Sequence, residues 1–372
     1  MNVPYFDLKV QYEGIRDEIL AALDHVCRSA AFILGAEVAE FEREFAAYCE
    51  VKHCVALNSG TSALHVALLA AGVRPGDEVI STPNTFVATA EAISYVGARA
   101  VFVDIDPATA NIDPSRIEAA LTSRTKAIVP VHLYGRPADL DALLEIGQRR
   151  GVPVIEDACQ AHGARWRGRR VGGFGLAATW SFYPSKNLGA YGEAGALTTN
   201  DDRVAALTRA LRDHGQTRRY YHDRIGWNYR MDGFQGAVLR VKLRHLDAWT
   251  KRRLEITRLY QEVLAGTCVD QPQDDPRGES VYHLFVAYVE HRDAVRAALE
   301  ACGVHTAIHY PVPLHRQEAC ESLGYGPGSF PQTERACDRV LSMPLYPELT
   351  LEQAEYAATT LARVAEEARA KR

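Results

Sequence analysis

Apolar positions along this chain recur with two spacings that alternate. Helical spacing comes first, from Tyr12 to Ser29 and then from Ala36 to Cys49, where Val38, Phe41, Phe45 and Ala46 share one face. Short apolar runs of strand length follow: Cys54–Leu57, Glu78–Ser81, Ala100–Val103, Ala127–Val131 and Val152–Ile155, with helix-length segments between them. This alternation predicts an α/β fold, a mostly parallel sheet covered by helices on both faces. Another run, Thr179–Tyr183, should stop at Pro184, which has no N–H for a sheet ladder. One long helix is expected over Phe234–Leu264, with Arg240, Lys242, Arg244, Lys251, Arg252 and Arg253 as a solvated face. The stretch Gln271–Ser280, rich in Pro, Asp and Gly, reads as an exposed connection. Beyond it a strand at Tyr282–Val289, a helix at Asp293–Cys302, a second edge run at Thr306–Pro313 and a helix at Leu351–Ala370 make an α+β unit. The expected division is a large domain, 1–247, and a small C-terminal domain, 248–372.

Three places on this frame carry candidate chemistry. Lys186 follows the Thr179–Tyr183 run in a loop closed by Asn187-Leu188-Gly189-Ala190-Tyr191-Gly192. A lysine at the lip of a buried strand loses solvation, its pKa falls, and a neutral amine can condense with a carbonyl. Taken alone it is also simply a surface lysine after a strand. Asp157 ends the run Val152–Ile155, and ligands of open α/β sheets sit at the carboxyl ends of strands. A pyridoxal cofactor needs both groups, a lysine for its aldehyde and a carboxylate for its pyridine nitrogen. Strand-end acids also bind ribose or Mg²⁺, or cap the next helix. The third place is Asn58-Ser59-Gly60-Thr61-Ser62-Ala63, which opens a helix through Leu69 and sets hydroxyls and free amides at a positive helix end. An ordinary N-cap gives the same letters. No Gly-x-x-x-x-Gly-Lys-Ser/Thr pattern follows, which disfavours an ATP loop.

Five motifs in order carry a family resemblance: Ser59-Gly60-Thr61-Ser62-Ala63-Leu64, Thr85-Phe86-Val87-Ala88-Thr89, Glu156-Asp157-Ala158-Cys159-Gln160-Ala161-His162-Gly163, Ser181-Phe182-Tyr183-Pro184-Ser185-Lys186-Asn187-Leu188-Gly189 and Gly226-Trp227-Asn228-Tyr229-Arg230-Met231. Together they resemble the DegT/DnrJ/EryC1/StrS sugar aminotransferases, and the likeness runs from Pro4 to Pro347. The resemblance implies a fold-type I, aspartate-aminotransferase-like architecture with a seven-stranded sheet in the large domain. It implies pyridoxal 5′-phosphate, with the pyridoxamine form as intermediate, carried by Lys186 as the internal aldimine. Asp157 would pair with the pyridine nitrogen, Gln160 would reach the ring hydroxyl and Phe86 would lie on the ring face. Gly60, Thr61, Ser62 and Ser181 would hold the phosphate, joined by Asn228 from the second subunit of a homodimer with shared sites. Some relatives carry histidine in place of the lysine and are dehydratases; Lys186 argues for transamination. One departure stands out. The family commonly has Gly-Asp-Gly-Gly or Gly-Glu-Gly-Gly after the lysine loop, and this chain has Gly192-Glu193-Ala194-Gly195.

Composition narrows the setting. The formal net charge of −5 offers no basic surface for nucleic acid. No run approaches the roughly 18 apolar residues of a membrane span, and the amino end lacks the regions of a signal peptide. The eight cysteines include no Cys-x-x-Cys, so neither a metal site nor a disulfide framework is expected. Reduced thiols fit a cytoplasmic protein.

The resemblance also implies the substrates, L-glutamate as amino donor and a keto group on a nucleotide-linked sugar as acceptor, used in ping-pong order. The lysine loop is most similar to members that aminate C-3 of 3-keto sugars; C-4 enzymes more often have a histidine near the Tyr183 position. Tyr183, His309 and Tyr310 are candidate sugar contacts, or for the last two structural residues at a domain seam. Alternatives are a C-4 keto-sugar or keto-cyclitol aminotransferase, and a regulatory protein that binds the cofactor without turnover. A Rossmann dehydrogenase would need a Gly-x-Gly-x-x-Gly turn that Asn58–Ala63 does not supply.

Overall fold

The computed structural model describes residues 1–370; residues 371 and 372 of the expected small domain lie outside the described residues. Seven strands build the central sheet: β1 (His53–Leu57), β2 (Glu78–Ser81), β3 (Arg99–Phe102), β4 (Thr125–Ile128), β5 (Ile155–Asp157), β6 (Ala177–Ser181) and β7 (Gly195–Thr199). Their ladders give the orders β1-β7-β6-β5 and β3-β2-β4, and parallel bridges Ile128–Val154 and Val131–Asp157 join the two. Only β7 runs antiparallel to its neighbours. The expected strand Ala127–Val131 is shorter, ending at Ile128, with Val129 N still donating to Ile80 O at 2.8 Å. Pro130 has no N–H to pair, yet its carbonyl accepts from Asp157 N at 2.9 Å while His132 N donates to Asp157 O at 3.0 Å. The backbone at Asp157 is thus held from both sides.

Register puts the site residues in adjacent rows. Asp157 lies opposite Thr179, and Ser181 and Leu57 each lie opposite Gly195. Among the helices, α1 (Leu8–Ser29), α2 (Gly35–Tyr48), α3 (Gly60–Ala70), α4 (Ala88–Tyr95), α5 (Leu140–Arg150) and α6 (Asp202–Arg212) accompany this sheet. Phe41 and Phe45 of α2 pack edge-to-face on Phe182, 5.3 Å between centroids in each pair, directly behind the lysine loop. Burying each such ring contributes about 1.5–3 kcal/mol, so the loop's strand has a fixed floor.

The expected long helix is two: α7 (Gly233–Leu243) and α8 (Leu246–Leu264). The final turn of α7 tightens, with His245 N donating to Lys242 O, and Arg244 and His245 both bond Glu18 of α1. No Gly or Pro marks this break. Arg253, expected on a solvated face, is buried and donates to Leu345 O at 2.8 Å. Lys242 is buried too, under the Tyr191 ring. β8 (Phe285–Tyr288) and β9 (Val340–Met343) pair antiparallel and share a second core with α8, α9 (Arg292–Ala301) and the closing helix α10 (Leu351–Ala370). β8 is shorter than the expected Tyr282–Val289 because Val281 N and Leu284 N bond the Tyr134-Gly135 turn instead of a strand. The expected edge run Thr306–Pro313 keeps one bridge, Ala307–Ser342; Pro311 and Pro313 cannot extend it. No helix among the described residues is long and apolar enough to cross a membrane.

Candidate active site

The strand ends converge on one cleft. Asp157, 5 % exposed, closes β5. Its carboxylate accepts from Thr89 Oγ1 at 3.1 Å and from Cys159 N at 3.2 Å, so its direction is set before any ligand arrives. Its neighbour Glu156 points the other way, fully buried, and accepts from Gly172 N, Phe174 N and Gly175 N at 2.8–3.1 Å. His132 Nδ1 accepts from Ala138 N, so Nε2 carries the proton that faces Glu156 at 3.3 Å. Burial alone would raise the Glu156 carboxyl, but His132 and these amides outweigh it and hold the group below its ordinary value. Glu156 is therefore a structural pin under the strand end, and Asp157 the group presented to the cleft.

Ser59 caps α3, accepting from Ser62 N at 3.1 Å, and the Ser62 hydroxyl donates to Asn58 Oδ1 at 2.7 Å. By helix geometry the Gly60 and Thr61 amides keep no partner inside α3. A Cβ on Gly60 would stand 2.7 Å from Ser181 Cβ and 3.0 Å from Cys159 Sγ. Only glycine lets the helix start touch the end of β6, which brings Gly60, Thr61, Ser62 and Ser181 into one cup. A Cβ on Gly195 would lie 2.2 Å from Ser59 C, whereas Ala194 is fully buried without such a conflict. The glycine that the cup requires is thus Gly195, and the departure at Ala194 leaves the geometry intact.

The lysine loop closes through Lys186 N to Tyr183 O and Ala190 N to Phe182 O, both 2.8 Å. Burial lowers the Lys186 pKa, and the Asp157 carboxylate opposes part of the fall. Cys159, also close by, is kept a neutral thiol by its own burial. A lowered pKa raises the fraction of free amine available at neutral pH.

Gln160 is buried, and Tyr134 N donates to its Oε1 at 2.7 Å. That bond fixes the amide so that Nε2 faces outward, 3.3 Å from the Tyr310 hydroxyl. Tyr134 can do this because it holds φ +60°, a left-handed conformation that costs a non-glycine residue of order 1 kcal/mol. Sequence reading missed Tyr134; its one signal was its place beside Gly135. Thr89 orients Asp157 from the end of the Thr85–Thr89 motif, a task that the sequence does not signal. Phe86 is 53 % exposed and its ring stands 5.8 Å from that of Tyr310. His309 Nδ1 pairs with Ser342 Oγ at 2.8 Å, and burial pushes the imidazole down to about 4. Tyr183 is exposed at the rim. Asn228 is exposed; its backbone carbonyl accepts from Asn58 Nδ2 at 3.4 Å, and Arg230 holds its side-chain oxygen.

Comparison with known proteins bears on this arrangement directly. Residues 13–362 match the DegT/DnrJ/EryC1/StrS aminotransferase family. The chain belongs to that family. Among relatives, "Pleiotropic regulatory protein" of Geobacillus stearothermophilus is 48% identical, covering 97% of this chain and 98% of its own. The dTDP-3-amino-3,4,6-trideoxy-alpha-D-glucose transaminase of Streptomyces venezuelae is 45% identical, covering 95% of this chain and 93% of its own. The crystal structure of S. venezuelae DesV in complex with a ketimine intermediate superposes with a TM-score of 0.96 at 44% identity, covering 98% of this chain and 99% of that one. As a member of the DegT/DnrJ/EryC1/StrS family this protein is a pyridoxal-phosphate-dependent aminotransferase of fold-type I. The cleft fits that cofactor on its own geometry: a glycine-walled helix start for a phosphate, an oriented carboxylate, a fixed amide donor and a lysine of lowered pKa.

Proposed function

We propose that the protein moves an amino group from L-glutamate to the keto group of a nucleotide-linked sugar, at C-3 of a 3-keto-deoxy sugar, in ping-pong order. The observation that carries this reading is the convergence of Lys186 and an immobilised Asp157 beside a fixed Gln160 and an open helix start. The C-3 choice is supported by the S. venezuelae transaminase named for a 3-amino sugar. Bound in the cleft, pyridoxal phosphate supplies an electron sink for the bond electrons released at the amino-acid Cα.

In this reading the chain's own groups have separate tasks. Asp157 would keep a proton on the ring nitrogen, and Gln160 Nε2 would donate to the ring hydroxyl. Gly60, Thr61, Ser62 and Ser181 would hold the phosphate at the positive end of α3. Phe86 would cover the ring face and exclude water from it. Lys186 would hold the cofactor through its amine and, as a neutral amine, would take up and return the proton released at the amino-acid Cα. Asn228 reaches the phosphate in a second copy of the chain, which makes the working form a homodimer, and its exposed side chain supports that task. Tyr183, His309 and Tyr310 line the sugar's side of the cleft. Residues 1–247 would carry the cofactor groups and the chain from 248 onward the smaller domain of a cytoplasmic enzyme, a division supported by the core under β8, β9, α8 and α10, which also takes in Val3 from the amino end.

Moving the ketone to the next ring carbon displaces the reacting atom by more than 1 Å, a misplacement worth about 100-fold in rate. With protein first converted to its amine form, dTDP-, UDP- or GDP-linked 3-keto sugars should therefore react about 100-fold faster than 4-keto sugars, read as kcat/KM. Faster reaction of the 4-keto series would overturn the C-3 assignment. A second reading follows from the Geobacillus relative: a regulator that binds the cofactor. Bound cofactor that no amino donor converts would favour it.

A further inference from the structure

The lysine loop is tied to a distant part of the chain through the residue that follows the lysine. Asn187 is 5 % exposed, and its Nδ2 donates to Val281 O at 3.0 Å. With Nδ2 committed as donor, Oδ1 is the acceptor for the His283 Nδ1 that stands 3.2 Å away, so His283 carries its proton on Nδ1. Burial drives the His283 pKa well below the ordinary value, and the Lys186 and Arg253 cations push it the same way. The imidazole is thus neutral in working conditions, with its tautomer set by Asn187.

The segment that presents His283 is itself held on two sides. Arg253 of α8 donates to Leu345 O at 2.8 Å and to Tyr282 O and His283 O at 3.4 Å. Val281 N donates to Gly135 O at 3.0 Å and Ser280 Oγ to the same oxygen at 3.1 Å. Gly135 adjoins Tyr134, whose N–H fixes Gln160. One short segment, Ser280–Leu284, therefore grips both the loop of the amine and the turn that aims the amide.

We propose that His283 is a positioning residue for Lys186: its Nδ1–H, through the Asn187 amide, locks the lysine loop against the Ser280–Leu284 segment and keeps the amine enclosed beside Asp157. The proposal rests on Lys186 being the reacting amine. Released from the lock, the loop can lift, water reaches the amine, and its alignment at the reacting carbon is lost. His283→Leu removes the donor with little change in volume. His283→Asn keeps an amide N–H near the Nδ1 position, so it separates hydrogen bonding from packing. Asn187→Ala deletes the acceptor from the loop side and serves if the Leu variant does not fold.

Two readouts apply. In cofactor-free protein, Lys186 acetylation by acetic anhydride is followed against pH by peptide mass spectrometry. In the loaded enzyme, kcat and KM for L-glutamate are measured. For His283→Leu and Asn187→Ala the labelling midpoint should rise by about one pH unit as the amine regains water. Their kcat should fall about tenfold with KM within about twofold, the pattern of lost alignment. His283→Asn should bring kcat back to within about threefold of wild type and the midpoint back to the wild-type pH. An unchanged midpoint in both the Leu and Ala variants, or an Asn variant as impaired as Leu, would overturn the proposal. If wild-type protein binds the cofactor and responds to glutamate while these variants behave as wild type, only the lock fails. A wild type that does neither breaks the functional reading instead.

Discussion

Lys186→Ala and Lys186→Arg each lose turnover by about 10⁴-fold or more, the upper range for removing a positioned acid–base group. The two substitutions make one argument from opposite sides. Alanine removes the amine. Arginine restores length and charge, but its guanidinium does not give up a proton in a protein, so it can neither link to an aldehyde nor act as a base. Both variants should still fold and take up the cofactor without a covalent link. The loop closes through backbone bonds at Tyr183, Phe182 and Ala190, and the cup at Gly60–Ser62 does not involve the lysine side chain. Single-turnover measurement of the donor half-reaction reads the loss, with cofactor retention on gel filtration as the control. Near-normal rates in either variant would remove Lys186 from the chemistry.

Asp157→Asn lowers turnover by about 10²–10³-fold, the scale of losing one preorganised electrostatic contact. Asparagine has the same shape and keeps an oxygen for Cys159 N, while its amide can donate to Thr89 Oγ1, so the strand end should hold. What disappears is the negative charge that would keep the ring nitrogen protonated. The variant should bind cofactor and fail mainly in kcat. A loss confined to KM would mean that Asp157 serves binding, as a strand-end acid in a nucleotide site would, and would weaken the cofactor assignment.

These two residues were legible in the sequence because their signals are local. A strand followed by a polar residue at its carboxyl end marks Asp157, and a Pro-bounded run marks Lys186. The same holds for the cup, where a helix start immediately follows β1. Six of the seven strands were readable from apolar runs; the closing strand β7, which runs against its neighbours, needed the structure to place it. What stayed hidden depends on contacts far apart in sequence. Asn187 and His283 lie 96 positions apart, and no periodicity of either stretch announces their bond. Tyr134 fixes Gln160 through a left-handed backbone conformation that its letter does not favour. The division between α7 and α8 follows from two side chains reaching Glu18 on another helix, and Arg253 is buried because three carbonyls meet it there. Basic letters on a helix were read as solvent-facing; partners supplied by the fold decided otherwise.

Lys186 and Asp157 would together run a transamination with pyridoxal phosphate. The most direct test is the absorption spectrum of the purified protein with that cofactor, recorded before and after L-glutamate is added. The expected result is a visible-edge band of protein-linked cofactor that gives way to the shorter-wavelength absorption of the pyridoxamine form, and that returns with a 3-keto nucleotide sugar. A protein that forms no such band, or forms one that no amino donor shifts, would contradict it.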